Sequence, residues 1–393
     1  MTAYRPADPA QRLLSIDALR GLALCGILLI NIPDMGGPLA MDRPLGPPAL
    51  ADPDWQVWGF AQLFVTGTMR GLFSMLFGVG LLLFVGDGEG ADRSRLYLRR
   101  LLLLLLFGVV DGSLLLWPGD ILVIYALAGG VALILHPLRN VQLLGVAVVI
   151  LMLLSAWQGF EAAGFTPADT VYSAEMLARE GAARLGDYWQ TFDYMSYVSW
   201  SWTVNALTYR WVGDALAFML VGMVAYRLGL FSERFGERRL WLMVRIGYPV
   251  GLALRLLHAA LIWHNDGAPT VLGGIVDQPG RLAMTLGHAG LFLLLWRRGV
   301  WPAAMALLAR MGRMALTLYL GQSLIAAWVF SGFGLGLWNR LSWPELWLVA
   351  LAILAVEALF ATLWLRAFRY GPVEWLWRWG TYGRRPLLVQ GGA

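Results

Sequence analysis

An aspartate, an arginine and an asparagine inside one apolar run are the first residues here whose types and spacing could do chemistry. The run is residues 15–31, SIDALRGLALCGILLIN. At about 100° per residue, Asp17, Arg20, Gly21, Leu24, Leu28 and Asn31 share roughly one third of a helix circumference. A carboxylate, a guanidinium and a side-chain amide on one narrow stripe could hold and orient a polar ligand. Charge at membrane depth is expensive, so the stripe is expected to face protein or a water-filled cavity rather than lipid. Arg20 sits in the first turns, where the macrodipole disfavours a cation, and Asp17 three residues earlier is the nearest compensation. The other reading is an interfacial pair that snorkels to water and fixes topology.

Such a stripe needs a membrane bundle to position it, and composition points to one. The chain has 393 residues, 59% hydrophobic and 14% charged, with mean hydropathy +0.62. Soluble domains run at about 45–50% apolar and about 25% charged, which excludes that class. All 30 basic residues are Arg, and the net charge of +5 reads as topology rather than nucleic-acid binding, because the arginines gather at span ends. Cys25 is the single cysteine, so neither an internal disulfide nor a cysteine metal site is expected. A cleavable signal peptide is not expected either, because the first apolar stretch carries internal charges.

The pattern predicts an all-α, single integral-membrane domain over 1–393 with about ten transmembrane helices. The spans fall at 15–31, 70–85, 101–117, 121–135, 141–160, 211–230, 240–263, 281–296, 314–330 and 344–366. The apolar stretch 55–85 is too long for one simple crossing and is split near Gly67, with 55–66 as a partly interfacial helix. Residues 36–54 and 264–280 read as Gly/Pro-rich loops. The 161–208 segment is the longest hydrophilic one, amphipathic and rich in Tyr and Trp, as expected of helices at headgroup level. A further amphipathic piece, 301–313, precedes the ninth span. The tail 367–393 is aromatic and basic, and Glu374 among its tryptophans reads as part of a surface anchor. Arginines in alternate loops place both termini in the cytoplasm.

The motifs DALRG-LALCGILLIN (17–31), FSMLFGVG (73–80), RLYLRRLLL (95–103), WPGDILVIYAL (117–127), GRMALTLYLGQSL (312–324) and GPVEWLWR (371–378) resemble, nearly end to end, the YeiB-like family of bacterial inner-membrane proteins. The first three also resemble the wider transmembrane acyltransferase superfamily, which includes acyltransferase-3 proteins and heparan-glucosaminide acetyltransferases. That resemblance implies transfer of an acyl group from cytosolic acyl-CoA to an extracytoplasmic glycan or lipid headgroup. Acyl-CoA would be a donor substrate, with no permanently bound cofactor. The partners implied are the bilayer, the donor and the acceptor; a homodimer is left open.

On this resemblance, Arg93, Arg95, Arg99 and Arg100 would meet the donor phosphates, guanidinium suiting phosphate through bidentate contacts. Positive-inside topology accounts for them equally well. In acyltransferase-3 proteins an Arg is followed eleven positions later by a catalytic His; counted from Arg20, that position is Asn31. An amide can orient a substrate or stabilise an oxyanion but cannot take a proton. Of the four histidines, His136, His258, His264 and His288, only His288 is buried by pattern, and each reads as structural before catalytic. Carboxylates are the better bases: Asp111, in an apolar span where relatives carry His, or Asp120, for which a helix N-cap is the alternative. Arg70 could pair Asp17 or bind an anion. Arg313 and Gln322 complete the polar candidates, on the ninth span. A transporter or flippase using the same polar cavity without chemistry is the rival reading.

Overall fold

The computed structural model describes residues 14–39, 43, 44, 46–86, 91–164, 173–204 and 207–389. These form fifteen α-helices; among the described residues, β pairing is limited to an isolated bridge between Phe368 and Val389.

Helix α1 (Leu14–Gly36) runs through Pro33 instead of stopping there. Proline cannot serve the carbonyl four residues back. That carbonyl, of Leu29, accepts instead from Trp347 Nε1 at 3.1 Å, which removes the reason to stop. Pairing with a side chain 318 positions away is invisible to local pattern.

The long apolar stretch divides where expected, into α2 (Pro53–Phe64) and α3 (Thr68–Val85). Gly67 has φ +73°, and a Cβ there would lie 2.1 Å from Arg281 Nε, so both conformation and space require glycine. Irregular backbone at membrane depth survives only where its polar groups are served. Here His288 Nε2 donates to the Phe64 carbonyl at 3.0 Å, Arg255 to those of Gln62 and Thr66, and Arg281 to that of Gly67 at 3.3 Å.

Then follow α4 (Ala91–Ser113), α5 (Leu122–Leu135) and α6 (Asn140–Ala163). Helix α4 begins ten residues before the span expected at 101. The aromatic hydrophilic segment contains α7 (Ala174–Arg184) and α8 (Tyr188–Val204). Helix α7 folds against the bundle: its buried Arg184 donates to the carbonyls of Asp34, Met35 and Gly37 at the end of α1. Arg184 also pairs with Glu180 at 3.1 Å, and Glu180 accepts the Leu39 N–H.

Helices α9 (Leu207–Arg227), α10 (Glu237–His264) and α11 (Val271–Arg297) follow. Most of the expected 264–280 loop is helix. Thr270 caps α11 through the Gly273 N–H, and a face carrying Gln278, Arg281 and Thr285 is buried, so tertiary packing overrides Pro279 and the glycines. Helix α12 (Pro302–Arg313) meets α13 (Ala315–Phe330) at an 82° bend, and α14 (Trp343–Ala367) and α15 (Pro372–Tyr382) complete the chain.

Five stretches among the described residues are long and apolar enough to cross a membrane, with α2 and α3 taken together, and the bent α12–α13 pair makes a sixth. Helix α6 exposes Val141, Val148, Met152 and Leu153, and α14 exposes Leu348, Leu351, Leu359 and Leu363. Apolar faces that large belong in lipid. Helix α1 is the buried counterpart, with Leu19, Leu24, Leu28 and Ile32 sealed in the core.

Candidate functional site

Asp111 and Asp120 come together in a buried cluster between α4, the start of α5, and α13. Asp111 is wholly buried and Asp120 nearly so. The two carboxyls adjoin, with Ser323 beside Asp111 and Tyr319 beside Asp120. Asp120 Oδ2 accepts the Val123 N–H at 2.9 Å, the capping role foreseen for it. Gly108 makes room for that cap: a Cβ there would lie 2.4 Å from Asp120 Oδ2. No well-formed hydrogen bond reaches Asp120 Oδ1, either oxygen of Asp111, Ser323 Oγ or Trp117 Nε1. Buried polar atoms are ordinarily satisfied, and these have one another at looser geometry: Asp111 with Asp120 and Ser323, and Tyr319 with Asp120 and Trp117. Tyr319 Oη accepts the Ile121 N–H at 3.1 Å, which leaves its own proton to donate.

The first-helix stripe faces inward as expected. Arg20 Nη1 lies 2.9 Å from Asp17 Oδ1; Asp17 is buried and a quarter of the Arg20 side chain is exposed. Asn31 is half-buried, and no hydrogen bond joins it to the Asp111 pocket among the described residues. Gln322 Nε2 donates to Glu357 Oε2 at 2.9 Å, both side chains buried. Arg313 donates to the Arg369 carbonyl at 3.1 Å. Arg99 is exposed, whereas the Arg100 guanidinium lies 3.8 Å from the Trp377 ring centre, with Arg20 and Arg378 in electrostatic range. Glu374 is no surface anchor: its carboxylate takes the N–H groups of Leu316 and Thr317 and the Thr317 hydroxyl, tying α15 to the start of α13. His136, His258 and His288 each bond a backbone carbonyl, those of Leu133, Gly273 and Phe64.

Arg70 joins a second polar centre that local pattern did not assemble. Arg281 makes a bidentate pair with Asp214 at 2.9 and 3.0 Å, Arg70 reaches the same carboxylate at 3.3 Å, and Arg255 pairs with Asp277 at 2.6 Å. These residues and Glu357 sit inside apolar runs. That was the available signal, but their partners lie up to 214 positions away. Among the described residues, no three His, Cys, Asp or Glu side chains converge as metal ligands would.

Lipid-facing helices around buried, paired charges define a helical-bundle membrane protein. The chain belongs to the YeiB-like family. It is 30% identical over 407 residues to the uncharacterized protein YxaH of Bacillus subtilis (strain 168), covering 97% of each chain. To the uncharacterized protein YeiB of Escherichia coli (strain K12) it is 30% identical over 388 residues, 94% of this chain and 96% of that one. An uncharacterized 39.9 kDa protein in the amylase 3' region of Bacillus acidopullulyticus is 28% identical over 97% of each chain. Residues 225–384 match the family described as a protein of unknown function (DUF418), a stretch holding Arg255, Asp277, Arg281, Tyr319, Ser323 and Glu357.

Proposed function

We propose that the chain is a ten-span bacterial inner-membrane acyltransferase with both termini in the cytoplasm, moving an acyl group from cytosolic acyl-CoA to an extracytoplasmic glycan or lipid headgroup. The observation that carries this reading is the pair of adjoining buried carboxyls, Asp111 and Asp120, with Tyr319 and Ser323 beside them and no ion pair to either among the described residues. In the proposed step the acceptor hydroxyl oxygen attacks the thioester carbon and gives its proton to the Asp111 carboxylate. Tyr319 donates to the developing oxyanion, and the carbon–sulfur bond breaks to release CoA thiolate, which takes the proton back. Asp120 holds the start of α5 through Val123 and keeps Asp111 in place. Arg20, Arg100 and Arg378 supply positive potential for the donor phosphates, with Arg99 exposed beside them. Asn31 orients the substrate from α1.

The test is purified protein incubated with labelled acetyl-CoA, following CoA release and label transfer. Turnover by wild type that is lost in Asp111→Asn supports the reading; wild type that neither binds nor releases CoA overturns it. Orientation is checked on a Cys25→Ser background. A cysteine at the exposed Glu175 is expected to react with an impermeant reagent in whole cells, and one at Ser232 only after lysis.

One feature favours transport instead. The broken α2–α3 helix, with its carbonyls met by side chains at depth, resembles the discontinuous helices of secondary transporters. Solute uptake into vesicles without acyl-CoA turnover would select that reading.

A further inference from the structure

Around the α2–α3 break the described residues place four guanidiniums and three carboxylates. Three pairs are close: Arg255 with Asp277 at 2.6 Å, Arg210 with Glu161 at 2.8 Å, and Arg281 with Asp214 at 2.9 and 3.0 Å. Arg70 is the cation left over. Its 3.3 Å contact is to an Asp214 oxygen already engaged by Arg281, and its Nε has no acceptor. Arg281 Nε, in a side chain only 5% exposed, has none either.

Two further features raise the potential at this point. Arg70 lies in the first turn of α3, whose N-cap is Gly67 with no side-chain cap, so the helix dipole adds to the charge instead of offsetting it. Arg255 and His288, by contrast, serve the Gln62 and Phe64 carbonyls at the α2 end of the break, where a donor is favoured, while Arg281 donates to the carbonyl of Gly67, the α3 N-cap. The Arg70 guanidinium is stacked 3.6 Å above the Trp211 ring, which holds its plane, and its side chain is 21% exposed, against 5% for Arg281, the other guanidinium on Asp214. A buried surplus guanidinium is costly unless an anion meets it.

We infer that Arg70, with Arg281 Nε behind it and Trp211 as its stacking platform, is the receiving group of a binding site for a ligand bearing an oxyanion, a carboxylate or a phosphate. The site lies at the α2–α3 break, apart from the Asp111 pocket, and stands whether or not the chain transfers acyl groups. Guanidinium suits both oxyanions through its fork of donors.

The experiment follows the thermal midpoint of the purified full chain in detergent as sodium acetate or inorganic phosphate replaces chloride at constant ionic strength. A parallel arm compares nanodiscs of phosphatidylglycerol with nanodiscs of phosphatidylcholine. A saturable rise with free anion identifies a soluble ligand, and a rise confined to phosphatidylglycerol identifies a lipid phosphate; either supports the site if it disappears in Arg70→Gln and persists in Arg210→Gln. Asp214→Asn frees Arg281 to join Arg70 and is expected to bind the same anion at least about tenfold more tightly. If Arg70→Gln does not fold, Arg70→Lys decides the matter: it keeps the charge, gives up the fork of donors and is expected to bind the same anion more weakly than wild type. A wild type indifferent to every probe, an Arg70→Gln that responds like wild type, or an Asp214→Asn with no gain in affinity overturns the site.

Discussion

Around the α2–α3 break the buried carboxylates of Asp214 and Asp277 lie against guanidiniums, whereas Asp111, Asp120 and Glu357 form no ion pair among the described residues. Both centres bury charge-bearing side chains in an apolar bundle, and they meet the cost in opposite ways. At the break, charge is neutralised by charge, and the same arginines also satisfy the carbonyls that the interrupted helix leaves open. In the α4–α5–α13 cluster no cation among the described residues meets Asp111 or Asp120, and their neighbours are the neutral Ser323 and Tyr319. The first centre ties distant helices together through charge; the second sets two carboxyls against neutral partners.

The sharpest way to break this contrast is to remove one charge from each centre. Arg281→Met leaves Asp214 with only the long contact to Arg70 and is expected to cost about 3–5 kcal/mol, read as a loss of unfolding free energy in detergent. Asp111→Asn is expected to leave that free energy essentially unchanged while lowering acyl-transfer turnover by roughly 10²–10⁴-fold, the contribution of a general base. If Asp111→Asn unfolds the protein as Arg281→Met does, the two centres are of one kind.

Smaller substitutions sharpen the comparison. Removing the cap in Glu374→Ala is expected to cost about 1 kcal/mol, seen as a lower thermal midpoint and faster proteolysis of α15. Glu357→Gln retains an acceptor for Gln322 and gives up a carboxyl that has no cation, so its expected effect is below about 1 kcal/mol. A large loss at Glu357 would mean that this acid, too, is held by charge.

Much of the architecture was written in local pattern. The break at Gly67, the boundary between 313 and 315, the inward stripe of α1 and the capping oxygen of Asp120 follow from hydrophobic period, glycine and helix-end chemistry. What escaped depended on partners far along the chain. Pro33 reads as a stop until Trp347 supplies the missing donor, and Pro279 as a loop residue until its neighbours are buried. Glu374 looks like an anchor among tryptophans until the start of α13 meets it. Arg70 was singled out as a cation for an anion or for Asp17; its geometric partner is Asp214, 144 residues later, on a helix that only the fold brings alongside.

Arg184 carries a consequence for how the protein is made. The last carbonyls of α1, at Asp34, Met35 and Gly37, find their donor about 150 residues downstream. At roughly 5–20 residues per second, ribosomal synthesis separates the two by roughly 10–30 s. Throughout that interval the carbonyl end of α1 is unfinished. Its seating therefore begins only when α7 arrives and is finished later still, when Asn339 serves the Gly36 carbonyl and Trp338 that of Gly37, so a truncation before residue 184 would leave α1 inserted but not seated.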